Sequence, residues 1–451
     1  MESMSSCRQL ILTLLVLVCF KCYLTVQPQG KVIPETDEEF ASIIHRLLDE
    51  IEGGADQYIL GNMETIARLE GCADDLDANI RPGNGLPAYA GEVINSRMTD
   101  YRESYEIIRD CNIVRENLQG RDTPTARGAL GAACAIEGIV YYNLMRDFCK
   151  PWVDGNEPGL PLVTRFDIDA MPGRSTLKET SDLIDALLSE ARGLCPLGEE
   201  FFFDADVIDL YRARNAFWRE DWNACKTICE SLLKGKSLSP AGEYGAVLAS
   251  ATPKGEVLAK SHINNASELD WYFQYLKGYI ASRPASASLV SLYVDGDVRK
   301  ALFFDSKRCN AKLPECRLRL SEAVLMLSEC RARLGDPEGA LEALNGLRAA
   351  RLASTLTPEN LPPVRPGNRI KVDATGKALT PLMQAILDER RCELYMEGDR
   401  FYELKRNGSP EWWVIVGGLK YTTKEYLYTA PIYKGDIELN PKLEQNPGYE
   451  D

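Results

Sequence analysis

Three glutamates, Glu389, Glu393 and Glu397, recur at every fourth position of the stretch ERRCELYMEGDRFYELKRNG. Residues four apart share one face of a helix, and two carboxyls about 5–10 Å apart are the machinery of glycoside hydrolysis. Glycosidases usually set those carboxyls on opposite walls of a cleft. Three on one helix beside Arg390, Arg391, Arg400 and Lys405 more naturally form ion pairs. Cys225 and Cys229 stand one helical turn apart, a spacing at which thiolates can hold a metal. The histidines are His45 and His262 alone and no second ligand pair lies near, so no metal and no cofactor is expected. GNGLPA, Gly83 to Ala88, has the outline of a dinucleotide fingerprint, but it follows no strand and Pro87 would disturb the helix it must open; it reads as a turn. G-x-S-x-G, H-E-x-x-H and phosphate-loop sequences do not occur, which leaves no recognisable catalytic residue. The remaining chemistry is aromatic. ELDWYFQYLKGYI carries Trp271, Tyr272, Phe273, Tyr275 and Tyr279, and PEWW adds Trp412 and Trp413. Such rings stack on the apolar face of a pyranose while polar neighbours bond its hydroxyls. Trp271, Tyr272 and Tyr275 are the candidate ligand contacts, with a place in the core as the competing role of each ring.

These residues sit in a chain that reads as exported. From Leu10 to Phe20 an apolar run of eleven residues, broken only by Thr13, follows Arg8 and precedes a polar segment. That is the layout of a signal peptide, and it is well short of the roughly 20 residues a membrane-spanning helix needs. No other segment reads as a span. The rest has a globular balance, 45% hydrophobic and 26% charged, and a net charge of −15 excludes a nucleic-acid partner, whose phosphates require a basic face. Eleven cysteines follow Cys22, an odd number scattered through helical patterns, where free cysteine acts as a small hydrophobe.

The elements that position the aromatics are helical. Leu130, Cys134, Gly138, Tyr141, Met145 and Phe148 recur at spacings of three and four across residues 126–149, and Pro151 closes that helix. In RSTLKETSDLIDALLSEA, Ser175 or Thr176 caps a further helix with Glu179 returning the bond. From Ser321 to Arg351, Val324, Leu327 and Leu334 line one helix, Gly335 turns, Pro337 starts the next, and Ala340, Leu341, Leu344 and Leu347 line it. This is a hairpin of tetratricopeptide type, and Val207 to Leu233 is a looser copy with Ala224 where Ala340 falls. Two such pairs more than a hundred residues apart predict an interrupted array. Residues 234–312, rich in Gly, Ser, Pro and aromatics, predict loops and short strands decorating it. In the glutamate stretch, Gly398 ends one helix and lets Arg400 to Arg406 begin another.

Several stretches together resemble one family, the SusD/RagB outer-membrane nutrient-binding lipoproteins of Bacteroidetes. They are CYLTVQPQGKVIPETDEEFASII, ARGALGAACAIEGIVYYNLMRDFCKPW, GLPLVTRFDIDAMPGRSTLKETSDLI, ERRCELYMEGDRFYELKRNG and APIYKGDIELNPKLEQNPGY, in the family's order from Cys22 to Tyr449. The resemblance implies a mainly α, tetratricopeptide-like helical-hairpin scaffold with loop-rich and short-strand decorations. It implies a non-catalytic protein that binds oligosaccharide or polysaccharide nutrients at the cell surface, is lipid-anchored through Cys22, and delivers ligand to a TonB-dependent outer-membrane transporter. Peptide ligands in some branches, or a tetratricopeptide scaffold for a protein partner, are the alternatives. The implied organisation is a signal peptide over 1–21, an N-terminal helical region over 22–234, a variable insertion over 235–312 and a C-terminal helical region over 313–451. Cys22 follows Cys19, Phe20 and Lys21, whereas a bacterial lipobox has a small residue just before the cysteine and usually leucine three before it.

Overall fold

The computed structural model describes residues 34–77, 90–91, 101–167, 169–261 and 271–449. Cys22, the GNGLPA turn and His262 lie outside them.

The fold is mainly helical and is built around one buried helix. Helices α1 (Asp37–Glu52), α2 (Met63–Cys72) and α3 (Arg102–Leu118) precede α4 (Pro124–Phe148), against which α1 and α3 pack. Thr123 caps α4 by accepting from the amide of Ala126, and Pro124 occupies the first turn, where its missing N–H costs nothing. Helix α4 is long and apolar enough, by length and composition, to cross a membrane, which corrects the expectation that no segment past the N-terminal run would be. Its apolar window is 94% buried inside the protein, so here it is a core helix. Small residues let its neighbours close in: a Cβ on Gly128 would stand 2.2 Å from the Phe201 ring and 2.4 Å from the Leu197 carbonyl oxygen. Glu137, a carboxylate on its buried face, meets Arg115 of α3 at 2.8 Å, and burial still pushes its pKa up to about 7.

Helix α5 (Leu177–Leu194) begins at the expected capping box, with Thr176 accepting from the Glu179 amide and the Glu179 carboxylate accepting from the Thr176 amide. It lays Ile184, Leu187 and Leu188 into the core beside α4. The pair α6 (Ala205–Trp218) and α7 (Trp222–Leu233) follows. After α8 (Ala241–Leu248) and α9 (Trp271–Ser282) come the hairpin α10 (Leu320–Arg333) and α11 (Pro337–Ala349), then α12 (Pro381–Glu393) and α13 (Asp399–Arg406). The α10–α11 turn follows its sequence signals: Gly335 takes φ +81°, Asp336 caps, and Pro337 opens the second helix.

Helix α7 packs directly on α10. The helical array is therefore interrupted in sequence and continuous in space, because the intervening chain loops away and returns. That intervening segment is more helical than expected. Besides α8 and α9 it forms short helices at Ala287–Val290 and Val298–Phe303. The loops and the short strand Val257–Lys260 expected over 234–312 are present, and these helices add to them.

Three antiparallel two-stranded ribbons complete the structure: β1 (Pro158–Pro161) with β2 (Arg174–Thr176), β3 (Val257–Lys260) with β4 (Arg317–Arg319), and β5 (Trp412–Val416) with β6 (Leu419–Thr423). Gly417 and Gly418, at φ +60° and +79°, form the two-residue turn of the last ribbon, a geometry that requires positive φ at both central positions.

Candidate binding site

The predicted aromatic contacts fall on α9. Trp271 and Tyr272 open this helix, and their side chains lie outside what the structure describes. Tyr275 is 59% exposed, while Leu276 and Ile280 bury the opposite side against Met63 and Ala67 of α2 and against Tyr244, Phe303 and Tyr395. Tyr279, a turn after Tyr275, is half-buried with the Arg283 guanidinium 4.0 Å from its ring centre. In this stretch only the aliphatic pair Leu276 and Ile280 records which side is inward.

A second aromatic surface is the β5–β6 ribbon. Alternation along β5 buries Trp412, at 3% exposed, and turns Trp413 outward, at 52%. Ile415 and Leu419 are exposed beside it, and the Lys420 ammonium sits 5.3 Å over the Trp413 ring. Of the two adjacent tryptophans, one is core and one is surface.

The glutamate repeat occupies a buried charge cluster. Glu393 is 0% exposed and accepts from Arg319 Nη1 at 2.6 Å, Arg351 Nη2 at 2.9 Å and Arg299 Nη1 at 3.0 Å. Burial alone would raise its pKa; the guanidinium groups of Arg351, Arg319 and Arg299 outweigh that and hold it well below the usual carboxylate range. Glu389 pairs with Arg299 and Arg348, and Glu397 with Lys312 and Arg319. Ion pairing was the expected role, but the partners differ from the expected ones. Arg390 bonds Asp399, Arg391 bonds Asp75, Arg400 bonds Asp74, and Lys405 donates to the carbonyl of Arg146. Neither does Gly398 end the first helix: α12 stops at Glu393, and the turn passes through two left-handed residues, Met396 (φ +62°) and Gly398 (φ +76°), before α13. Cys225 and Cys229 are buried on α7 with their sulfurs 3.9 Å apart, and burial raises the Cys225 pKa well above its ordinary value, so this thiol stays protonated and hydrophobic in character.

A cavity of about 780 Å³ lies between α2, α4, α6, α10 and the α12–α13 pair. Arg214 of α6 grips Glu322 of α10 in a bidentate pair at 2.9 and 2.6 Å on its wall. The Arg146 guanidinium stands between the rings of Tyr142 and Tyr402, 4.5 and 4.0 Å from their centres. Sequence reasoning passed over this cavity, because Arg68, Arg146 and Tyr402 come from three distant helices and no local pattern joins them.

A family profile described as starch-binding associating with outer membrane matches residues 23–203, and the profile of the SusD family matches residues 304–449. SusD-like protein P38 of Formosa agariphila is 32% identical over 132 residues, which is 29% of this chain and 24% of that protein, so the match spans about a quarter of that relative's length. Among solved structures, a SusD superfamily protein of Bacteroides thetaiotaomicron superposes with a TM-score of 0.70 at 19% identity, over 91% of this chain and 99% of the other. A SusD-like carbohydrate binding protein of Bacteroides vulgatus gives 0.67 at 19%, over 91% and 98%. Surface glycan-binding protein A of Bacteroides fluxus gives 0.65 at 16%, over 92% and 100%. At these identities the structural likeness speaks to the fold.

Proposed function

Since the chain belongs to the SusD/RagB family, we propose that it is a cell-surface lipoprotein, anchored through Cys22, that binds an oligosaccharide or polysaccharide nutrient and delivers it to a TonB-dependent outer-membrane transporter. One observation carries the reading: the profile that matches residues 23–203 describes starch-binding proteins associated with the outer membrane. The exposed ring of Tyr275, on a helix anchored from below by Leu276 and Ile280, supports α9 as the surface that meets the sugar, with Trp271 and Tyr272 beside it in sequence. Binding without catalysis is the reading for the glutamate repeat as well, since Glu393 is enclosed by three guanidinium groups and Glu397 is paired with Lys312 and Arg319. A scaffold that takes a partner's peptide against its helical array is less well supported. The chain's own α12–α13 pair packs across α6 and α10, placing Tyr402 against Trp218 and Arg406 on Glu329.

The test is a glycan panel titrated against the intact protein, with product analysis alongside. Saturable binding of at least one glycan, no release of reducing ends, and weakening by Tyr275→Ala or Trp271→Ala are expected. Release of reducing ends, or peptide binding with indifference to every glycan, refutes the reading. The mass of the mature N-terminal peptide from native membranes tests the anchor: a diacylglyceryl-modified Cys22 is expected, and an unmodified N-terminus removes the delivery role.

A further inference from the structure

Arginines around the cavity are mostly matched to carboxylates: Arg214 to Glu322, Arg390 to Asp399, and Arg406 to Glu329 at 2.8–3.0 Å. Two on its wall are not. Among the described residues, neither Arg68 nor Arg146 has a carboxylate oxygen within 4.0 Å. Arg146 donates from Nη2 to the amide oxygen of Asn143 at 2.9 Å, and Arg68 from Nη2 to that of Gln57 at 3.4 Å, both neutral acceptors. Asp147, one of the acids of this lining, accepts from the Tyr402 hydroxyl at 2.5 Å; burial raises its pKa even against the pull of Arg146, Lys405 and Arg68. Two guanidinium groups of this wall thus lack an ion-pair partner among the described residues, and their Nε atoms have no hydrogen-bond acceptor.

A desolvated cation without a counter-charge is costly. Guanidinium groups lining a space are also where an oxyanion finds charge-assisted, bidentate bonds. The cavity has room for one, at about 780 Å³, within the roughly 300–1,000 Å³ of small-molecule sites. It also has an entrance: Glu103 and Tyr433 of its lining are exposed, whereas Tyr211 and Glu322 are buried. We propose that this cavity is a second binding site, separate from the α9 surface, for a carboxylate-bearing monosaccharide whose carboxylate is held at Arg146 with Arg68 supplying the second cation. The anion half of this assignment rests on the geometry alone. The sugar half rests on the glycan-binding reading above, with the Gln57 amide on the cavity wall as a neutral partner for hydroxyls.

Calorimetric titration of the intact protein with glucuronate, glucose, acetate and sulfate separates the possibilities. Saturable glucuronate binding is expected, with glucose, acetate and sulfate each at least tenfold weaker. Removing one charge-assisted partner weakens binding about tenfold or more, so Arg68→Gln and Arg146→Gln should each lose at least that factor while retaining binding of the α9 glycan. Arg146→Lys keeps the charge but not the planar, stacked group, and should fall between wild type and Arg146→Gln. Should Arg146→Gln fail to fold, Arg68→Gln, at a half-buried position, carries the test. Glucuronate binding unchanged in the Arg68 and Arg146 variants, or absent in wild type, overturns the site while leaving the α9 reading intact. Acetate or sulfate binding as tightly as glucuronate overturns the sugar assignment.

Discussion

Replacing Glu393 by glutamine would leave its shape in place and remove the charge on which three buried guanidinium groups converge. Arg319, Arg351 and Arg299 reach it at 2.6, 2.9 and 3.0 Å, and the Tyr244 hydroxyl lies 3.3 Å away. Glu256, Glu389 and Asp297 remain as partial counter-charges. Breaking a buried ion pair from one side costs about 3–5 kcal/mol, because the surviving charge stays desolvated and unmatched. Unfolding entropy of about 2.1 cal/mol/K per residue gives about 0.9 kcal/mol/K for a chain of this length. The melting temperature of Glu393→Gln should therefore fall by about 3–6 °C at pH 7. Acid should close the gap. The folded pKa of Glu393 is depressed, so its contribution is full above the unfolded carboxylate range and is lost as pH falls through the folded value. Scanning calorimetry of both proteins between pH 7 and pH 3 reads the whole argument. A shift under 1 °C at pH 7, or a gap that widens on acidification, would refute it.

Glu70 works in the opposite sense. Burial, helped by Asp75, raises its pKa to about 8 although it accepts from the Gly398 amide at 3.0 Å. Its folded state favours the protonated form, so its contribution is full below the unfolded carboxylate range and is lost as pH rises through about 8. Glu70→Gln should then melt higher than wild type at pH 8.5 and close to it at pH 4; equal shifts at both would count against this account. On α4, Gly128→Ala drives a Cβ to 2.2 Å from Phe201 and 2.4 Å from a backbone oxygen. It should lose about 1–3 kcal/mol by overpacking, more than Gly138→Ala, whose nearest contact is 3.0 Å; denaturant titration ranks the two. Tyr275→Ala removes an exposed ring, so it should weaken glycan binding by about two- to tenfold with an unchanged melting temperature, and a large loss of stability instead would assign the ring to the core.

Local signals carried far and long-range ones did not. Thr176 with Glu179, and Gly335 followed by Pro337, act on backbone groups within a turn of themselves, and their helices begin where those residues place them. Helix α9 left no such trace: Trp271 to Tyr275 is aromatic or polar at every position, and without an aliphatic stripe the helical period cannot be read. Helix α7 meets α10 across a long stretch of intervening chain, a contact that depends on packing two amphipathic faces and that spacing does not encode. The glutamate repeat shows the same limit in electrostatics. That these side chains form ion pairs follows from composition, but Glu393 finds Arg351, Arg319 and Arg299 at sequence separations of 42, 74 and 94, while Arg390 and Arg391 beside it turn to Asp399 and Asp75. Of the candidate site, the aromatic residue types were legible; which of Trp412 and Trp413 faces outward depended on which side of the ribbon meets the core.

The same contacts tie the α9 surface proposed to meet the glycan to the charge cluster. Leu276 and Ile280 of α9 share a core with Tyr244, Tyr293, Tyr395 and Met396. Two of these reach the cluster directly: Tyr244 lies 3.7 Å from the Arg351 guanidinium and approaches Glu393, and the Tyr293 hydroxyl donates to the Cys392 carbonyl at 2.9 Å. A surface helix of twelve residues is marginal on its own. It can present the exposed Tyr275 ring in a fixed direction only if something beneath it resists movement, and a buried network of convergent ion pairs does so because every displacement uncovers an unmatched charge. The glutamate repeat that first suggested catalysis thus acts through position, by fixing the turn and helix pair on which α9 rests.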